Sequence, residues 1–168
     1  CAEVAALGPE PLEIGRVPFL LRLEGRRGRL KSLLLDQRFV AGIGNIYADE
    51  ILHRARLRPD RPASSLDRGR VARLAGSIVE VLTEAIDAGG STLGDAQYVD
   101  LMGEGGSYQD EHRVYGRGGE RCLSCGREWV ESLESIEQET AGVSQCPQCH
   151  SDQLQCCPDD QSEKGEYC

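Results

Sequence analysis

Two pairs of cysteines in the last third of the chain constrain its fold more than any other sequence feature. Cys122 and Cys125 form one C-x2-C turn, Cys146 and Cys149 form another, and twenty residues separate the two turns. Each turn directs two thiolates toward one point, so a hairpin joining the turns can present four sulfurs to a tetrahedral ion. The spacing predicts one structural Zn²⁺ per chain. Two disulfides, or the free thiols of a degraded site, are the alternatives.

The net charge of −9 argues against a nucleic-acid partner if it is spread evenly, but the charge is concentrated after residue 121. Residues 1–121 carry 17 Lys/Arg and 18 Asp/Glu, a net charge of −1, whereas residues 122–168 carry 2 and 10, a net charge of −8. A local basic patch is what a phosphate backbone attracts. The first part contains such a patch, formed by Arg22, Arg26, Arg27, Arg29 and Lys31.

Several classes of protein are disfavoured by what the sequence lacks. No run of about 18 apolar residues is present, so no membrane span is expected. The first eight residues lack the basic and apolar regions of a secretory signal. Half of the eight cysteines have zinc spacing, which favours an intracellular metal-binding protein over a disulfide-rich secreted one. We therefore expect a cytoplasmic protein.

Apolar residues at helical spacing predict a mainly α domain. One helix is expected to begin at Lys31 and to bury Leu33, Leu34 and the Phe39–Val40 pair on one face. Residues 17–23 form a shorter apolar segment, which fits either a helix or a packed extended stretch.

A longer helix is predicted after Ser64 or Ser65, which are good capping residues, and it should end at the Gly89–Gly90 pair. Residues 91–121 are rich in glycine and should contain only short elements. Within them, residues 103–108 (GEGGSY) are expected to form a mobile loop with little to bury. The apolar face of the long helix consists of Val71, Leu74, Ile78, Leu82, Ala85 and Ile86.

The corner between the first two helices contains a glycine pair followed by a helix start. Gly42 and Gly44 should end the Lys31 helix, and Asn45 should cap a second helix that ends near Arg58-Pro59. The start of that helix presents unpaired N–H groups and a positive dipole end, and the glycines allow close approach of an anion. From the residues alone, an ordinary helix–turn–helix corner is the favoured interpretation, because such corners are common.

Five ordered segments resemble the formamidopyrimidine-DNA glycosylase family. Residues 31–37 (KSLLLDQ) and 40–50 (VAGIGNIYADE) resemble its helix–two-turn–helix motif. Residues 7–12 (LGPEPL), 89–93 (GGSTL) and 114–117 (VYGR) resemble the segments that surround that motif. The resemblance runs in order from about residue 6 to residue 126, and it implies a helix–two-turn–helix bundle followed by a small zinc-binding β-hairpin.

The resemblance also implies a function. Members of the family remove oxidised purines, chiefly 8-oxoguanine and formamidopyrimidines, from double-stranded DNA during base excision repair, after the base is flipped out. An N-terminal proline amine attacks the sugar, and a neighbouring glutamate acts as acid and base before the strand is cleaved. Cys1 and Ala2 stand at the start of this chain instead. We therefore expect no catalytic residue here and a chain that is inactive by itself.

Four positions carry over as DNA-binding residues. The resemblance implies that Asn45 and the adjacent Gly44 contact phosphate and that Lys31 helps to hold the backbone, while Arg27 is a looser match. Solvated surface charges are the alternative for Lys31 and Arg27. The resemblance also implies a lesion-capping loop at Gly105, Gly106, Ser107 and Tyr108, for which a plain solvent loop is the alternative.

The hairpin departs from the family pattern. Its spacer is longer, and it lacks the arginine that precedes the third cysteine in the family and clamps phosphates there. Arg127 is the only base of the spacer and lies at its other end; the acidic residues are Glu128, Glu131, Glu134, Glu137 and Glu139. Like charge repels an acidic hairpin from DNA. We hypothesise that the hairpin folds on zinc but grips DNA weakly.

The expected organisation has four parts. Residues 1–15 read as a linker from a missing N-terminal catalytic domain, 16–121 as the helix–two-turn–helix domain, 122–150 as the zinc hairpin and 151–168 as a disordered acidic tail. We expect a nucleoid-associated monomer that binds damaged DNA as the C-terminal half of a bifunctional glycosylase and lyase. The alternative is a non-catalytic, zinc-containing DNA-binding module or pseudoenzyme.

Overall fold

The computed structural model describes residues 7–92, 103–117, 120–124, 130–131 and 144–145. This part of the chain is mainly helical, as predicted. Four α-helices pack around one apolar core, and helix α3 contacts both α2 and α4. The helices are α1 (Arg16–Leu23), α2 (Leu30–Leu35), α3 (Asn45–Arg54) and α4 (Arg68–Asp87), and the strands are β1 (Val130–Glu131) and β2 (Ser144–Gln145).

Helix α2 is shorter than the apolar pattern predicted. It ends at Leu35, and the Asp36 carbonyl then accepts the amides of Phe39 and Val40 in a tight turn. Phe39 and Val40 are still buried, but they reach the core from this turn rather than from a helical face. The spacing of apolar residues does not distinguish a longer helix from a short helix followed by a tight turn, because both place these side chains on the same side of the chain.

The ends of the later helices also differ from prediction. Helix α3 ends at Arg54, ahead of the predicted Arg58-Pro59. Helix α4 is capped by Asp67, whose side chain accepts the Arg70 amide at 2.8 Å, and not by Ser64 or Ser65. Those two serines lie in a 3-10 turn at Ala63–Ser65.

The C-terminal end of α4 is where the glycine pair predicted it. Gly89 and Gly90 follow the helix with φ angles of 71° and 86°, which glycine adopts without strain. The predicted apolar face is buried except for Ile86, which is 63% exposed. Val81 was not predicted to face the core and is fully buried there.

Residues 7–14 are irregular, as predicted, but they lie against the helical domain. The Gly8 amide donates to the Gln37 carbonyl at 2.7 Å, and the Ala41 amide donates to the Pro9 carbonyl at 3.1 Å. Pro11 is buried, and Ile14 packs against the core. None of the helices in the described residues is long and apolar enough to cross a membrane.

Candidate nucleic-acid interface

The first turn of helix α3 leaves backbone donors available to a ligand. Gly44 occupies the capping position, and the first internal hydrogen bond runs from the Ala48 amide to the Gly44 carbonyl at 2.9 Å. The amides of Asn45, Ile46 and Tyr47 therefore have no acceptor within the helix. Among the described residues, no side chain caps this end. A set of free N–H groups at the positive end of a helix dipole is a site for an anion.

Asn45 does not cap the helix as the sequence predicted. It is the first helical residue, and its half-buried side chain is not used to hold the helix start. Gly44 is exposed beside it, and Gly42 has a φ of 80°, a left-handed conformation that favours glycine. The side-chain amide of Asn45 thus remains available to a ligand at the helix end.

A shallow cleft of about 330 Å³ opens beside this corner. Its walls come from the segment at Leu12, from Tyr47 on α3, and from the end of α4 at Ile86 and Gly90. The exposed Ile86 therefore lines a concave surface next to the helix start. The lining of the cleft is mostly apolar, which favours an apolar group over a charged one.

Lys31 is buried at 1% exposure, in contrast to the phosphate contact expected of it. Its Nζ donates to Asp49 Oδ2 at 3.0 Å and lies 2.8 Å from Oδ1, an ionic contact without hydrogen-bond geometry. Burial raises the pKa of Asp49 to about 6, although Lys31 acts in the opposite direction. In this arrangement the ammonium group faces the interior and ties α2 to α3.

The four arginines of the basic patch divide into two groups. Arg22 is half-buried, and its guanidinium donates to the carbonyls of Arg38 and Phe39 at 2.7 and 2.9 Å, which braces the turn before α3. Arg26, Arg27 and Arg29 are exposed. Arg27 is therefore placed where a phosphate can reach it, as a predicted DNA contact must be.

Three of the four residues expected to cap a lesion are hydrogen-bonded to the segment at 88–92, which follows α4. The Gly106 amide donates to Thr92 Oγ1 at 2.8 Å, and the amides of Ser107 and Tyr108 donate to the carbonyls of Ala88 and Gly90. These three amides are thus already paired inside the chain. Gly105 also lies against Thr92 and is exposed.

The prediction of a loop with little to bury is wrong for the end of this segment. Tyr108 is 1% exposed and belongs to the core. An ideal Cβ built on Gly106 would lie 2.1 Å from the Gly90 carbonyl oxygen, so only glycine allows this approach. The aromatic ring and the close backbone contact together fix residues 106–108 against the Gly89–Gly90 turn.

Aromatic and polar side chains fill the space behind this loop. The rings of Tyr47, Tyr108, His112 and Tyr115 form a row with centroids 5.7 to 5.9 Å apart. His112 Nε2 lies 3.0 Å from Ser91 Oγ. Burial lowers the pKa of His112 and raises the pKa of Tyr108 to about 12, so burial favours the neutral form of both side chains. The row connects the helix start to the segment that follows the loop.

A buried carboxylate, Glu50, holds that following segment. Its two oxygens accept the amide of Arg113 at 3.0 Å each, and Oε1 also accepts the amides of Val114 and Tyr115 at 2.9 Å. Glu50 is 3% exposed, and Val114 is 2% exposed. Hydrogen bonds from three consecutive backbone N–H groups compensate the burial of the carboxylate. This contact, the Glu50 clasp, joins α3 to the chain that leads to Cys122.

Sequence reasoning missed both Asp49 and Glu50. A signal was present, because the two acids lie inside a short helix between apolar residues, where a stripe of solvent-facing charge is not expected. Their partners are 18 and 63 to 65 residues away in the chain, and spacing does not identify partners at such distances.

Only one of the four predicted metal ligands lies in the described part of the chain. Cys122 is buried at 2% exposure. Cys125, Cys146 and Cys149 lie outside the described residues. Strands β1 and β2 pair antiparallel, with Val130 opposite Gln145, the residue that precedes Cys146. A buried thiol and a hairpin between the two C-x2-C turns both fit a four-thiolate zinc site.

A family model described as "Formamidopyrimidine-DNA glycosylase H2TH domain" matches residues 7–97. The formamidopyrimidine-DNA glycosylase of Solibacter usitatus is 52% identical over 122 residues, which cover 73% of this chain and 46% of that protein. The enzyme of the same name from Nitratidesulfovibrio vulgaris is 48% identical over 143 residues, covering 85% of this chain and 38% of that protein. The chain spans about half the length of the curated relatives it matches or less.

Solved structures give the same relationship. The MutM (Fpg) protein from Thermus thermophilus superimposes with a TM-score of 0.78 and 46% identity, over 86% of this chain and 54% of that one. A Lactococcus lactis Fpg (MutM) in complex with DNA that contains N7-benzyl-Fapy-dG superimposes with a TM-score of 0.75 and 34% identity, over 88% of this chain and 52% of that one. The sequence match and the shared fold agree, and this chain belongs to the formamidopyrimidine-DNA glycosylase family.

Proposed function

We propose that the chain binds damaged double-stranded DNA in base excision repair, as the C-terminal half of a bifunctional glycosylase and lyase that removes oxidised purines. The observation that carries the proposal is the open start of helix α3, where three backbone amides and the Asn45 side chain are available to a phosphate. Relatives of similar fold were solved with DNA containing Fapy-dG or carbocyclic 8-oxo-G, which supports the choice of ligand.

The parts of this surface have separate roles in the proposal. Asn45 and Gly44 bind a phosphate near the lesion, and the exposed Arg27 adds a screened, salt-dependent contact. Residues 105–108 form the inner end of a capping loop over the flipped base. The amides of residues 106–108 are used internally, so within this segment a base contact falls to side chains or to Gly105. Lys31 acts through the interior, because its ammonium is paired with Asp49.

Replacing Asn45 by alanine should weaken binding to an 8-oxoguanine duplex by about fivefold to tenfold, because one side-chain hydrogen bond to phosphate is lost. The slope of log K against log salt should not change, since the asparagine is neutral and displaces no counterion. Fluorescence anisotropy at several salt concentrations measures both quantities.

Thr83→Ala is the matched control, because Thr83 is exposed on α4 and takes no part in the corner. It should bind like the unchanged chain. Equal binding by Asn45→Ala and the unchanged chain, with the fold intact, would remove the phosphate grip from the proposal.

We also propose that Cys122, Cys125, Cys146 and Cys149 hold one structural Zn²⁺. When bound, the ion ties the two C-x2-C turns together and stabilises the hairpin. Burial of Cys122 and the pairing of β1 with β2 support this assignment. The acidic spacer supports the further hypothesis that the hairpin acts as a structural staple with little contact to DNA.

Deletion of residues 122–168 should therefore leave the salt slope of DNA binding unchanged. Arg27→Gln in the full chain is the positive control, and it should reduce the slope by about 0.9, the value for one lost phosphate contact. A marked drop in slope on deletion would show that the hairpin itself contacts phosphates, and the staple hypothesis would then be wrong.

A further inference from the structure

The side chain of Gln37 makes three hydrogen bonds to the backbone of the corner. Its Nε2 donates to the Ile43 carbonyl at 2.9 Å and to the Leu35 carbonyl at 3.2 Å. Its Oε1 accepts the Gly42 amide at 2.8 Å. One amide group therefore connects the last residue of α2 with the two residues that stand just before Gly44.

This arrangement differs from that of an ordinary surface glutamine. Gln37 lies in an exposed turn, where water can form the same hydrogen bonds with its side-chain amide. Fixing the side chain in one rotamer costs entropy, so these hydrogen bonds add little to the stability of the fold. Its contacts are specific in geometry, because the donor and acceptor ends of the amide engage different groups. The backbone carbonyl of Gln37 also accepts the Gly8 amide at 2.7 Å, which limits movement of the residue itself.

The corner needs such a restraint. Gly42 has a φ of 80°, and glycine alone leaves many backbone conformations open. Arg22 restrains the carbonyls of Arg38 and Phe39, on the earlier side of the turn. Gln37 restrains residues 42 and 43, from which the chain enters the first turn of α3.

We propose that Gln37 is a positioning residue for phosphate binding: by joining α2 to residues 42–43 it preorganises the Gly44–Asn45 helix start for an anion. It does not contact DNA. Preorganisation lowers the ordering cost of binding, so loss of the restraint weakens affinity without removing a contact. This inference rests on the proposed DNA-binding function of the same corner.

A double-mutant cycle in the full chain tests the proposal, with Gln37→Ala, Asn45→Ala and the two combined. Gln37→Ala should weaken binding to an 8-oxoguanine duplex by about fivefold. The loss in the combined variant should be smaller than the product of the two single losses, because both changes act on the same helix start. The salt slope should be the same in all four proteins.

Amide hydrogen exchange in the absence of DNA provides a second readout. Gln37→Ala should speed exchange at Gly42, since that amide loses its acceptor, while amides in the middle of α4 keep their protection. Gln37→Met, which keeps the length of the side chain, replaces the alanine variant if that variant unfolds. Ser65→Ala is the matched control, because it removes two side-chain hydrogen bonds from a different turn and should leave binding unchanged.

Fully additive losses in the cycle, or a reduced salt slope for Gln37→Ala, would overturn the inference, since the residue would then act independently of Asn45. Unchanged exchange at Gly42 would overturn it as well. Failure of the unchanged chain to bind damaged DNA would instead refute the proposed function, a result distinct from any difference among the variants.

Discussion

Replacing Glu50 by glutamine is expected to lower the free energy of unfolding by about 3 kcal/mol, although the two side chains have nearly the same size. The carboxylate accepts four hydrogen bonds from the backbone amides of residues 113–115. A glutamine presents its own N–H₂ donor to at least one of these N–H groups. Two donors then face each other in a buried site, and one of them remains unsatisfied.

Urea unfolding measures this loss, and amide exchange locates it. Exchange should become faster at Arg113 first, because its amide faces the new N–H₂ group when the glutamine oxygen keeps the place of Oε1 and the bonds to Val114 and Tyr115. Glu80→Gln is the matched control: Glu80 is 63% exposed on α4 and lies 3.9 Å from Arg54, so its loss should cost less than about 1 kcal/mol. A loss below that level for Glu50→Gln would contradict the role assigned to the clasp.

Lys31→Met should lower the free energy of unfolding by about 3 to 5 kcal/mol at pH near 8, because it leaves the Asp49 carboxylate buried without its cation. The loss should be smaller at pH near 5. Burial already raises the pKa of Asp49 to about 6, and removal of Lys31 raises it further. A carboxyl with a raised folded-state pKa contributes its full stability below its unfolded pKa and loses that stability as pH rises through the folded value. The difference between the two proteins therefore widens above about pH 6.

Unfolding experiments at both pH values check this expectation. The double variant Lys31→Met with Asp49→Leu removes both charges, so it should recover most of the stability and lose the pH dependence of the single variant. An equal loss at the two pH values for Lys31→Met would mean that Asp49 does not titrate in this range.

Lys31 shows where sequence reasoning stopped. The family resemblance implies a phosphate contact for this lysine, and the charge pattern of the arginine-rich stretch offers no reason to place it inside. Its partner Asp49 lies 18 residues later, on another helix. Only the packing of α2 against α3 brings the two together, so the pair depends on tertiary structure that local spacing does not encode.

Features that depend on local chemistry were predicted more accurately. The Gly89–Gly90 pair ends α4 because a left-handed conformation is needed there. The glycine-bounded corner before Asn45 is also present, although Gly44 and not Asn45 occupies the capping position. Tyr108 shows the converse case: the glycine-rich, polar segment indicates a mobile loop with little to bury, but an aromatic ring and backbone hydrogen bonds anchor its end against the core.

The Glu50 clasp also imposes an order of events during synthesis. Its carboxylate emerges from the ribosome 63 to 65 residues before the amides that it binds. Helices α2, α3 and α4 have all been synthesised before residues 113–115 appear. Their packing must therefore tolerate a hydrated Glu50 side chain that residues 113–115 later cover. Binding of the segment at 113–115 is therefore a late step, and the nascent chain remains open on this side until Tyr115 has left the ribosome.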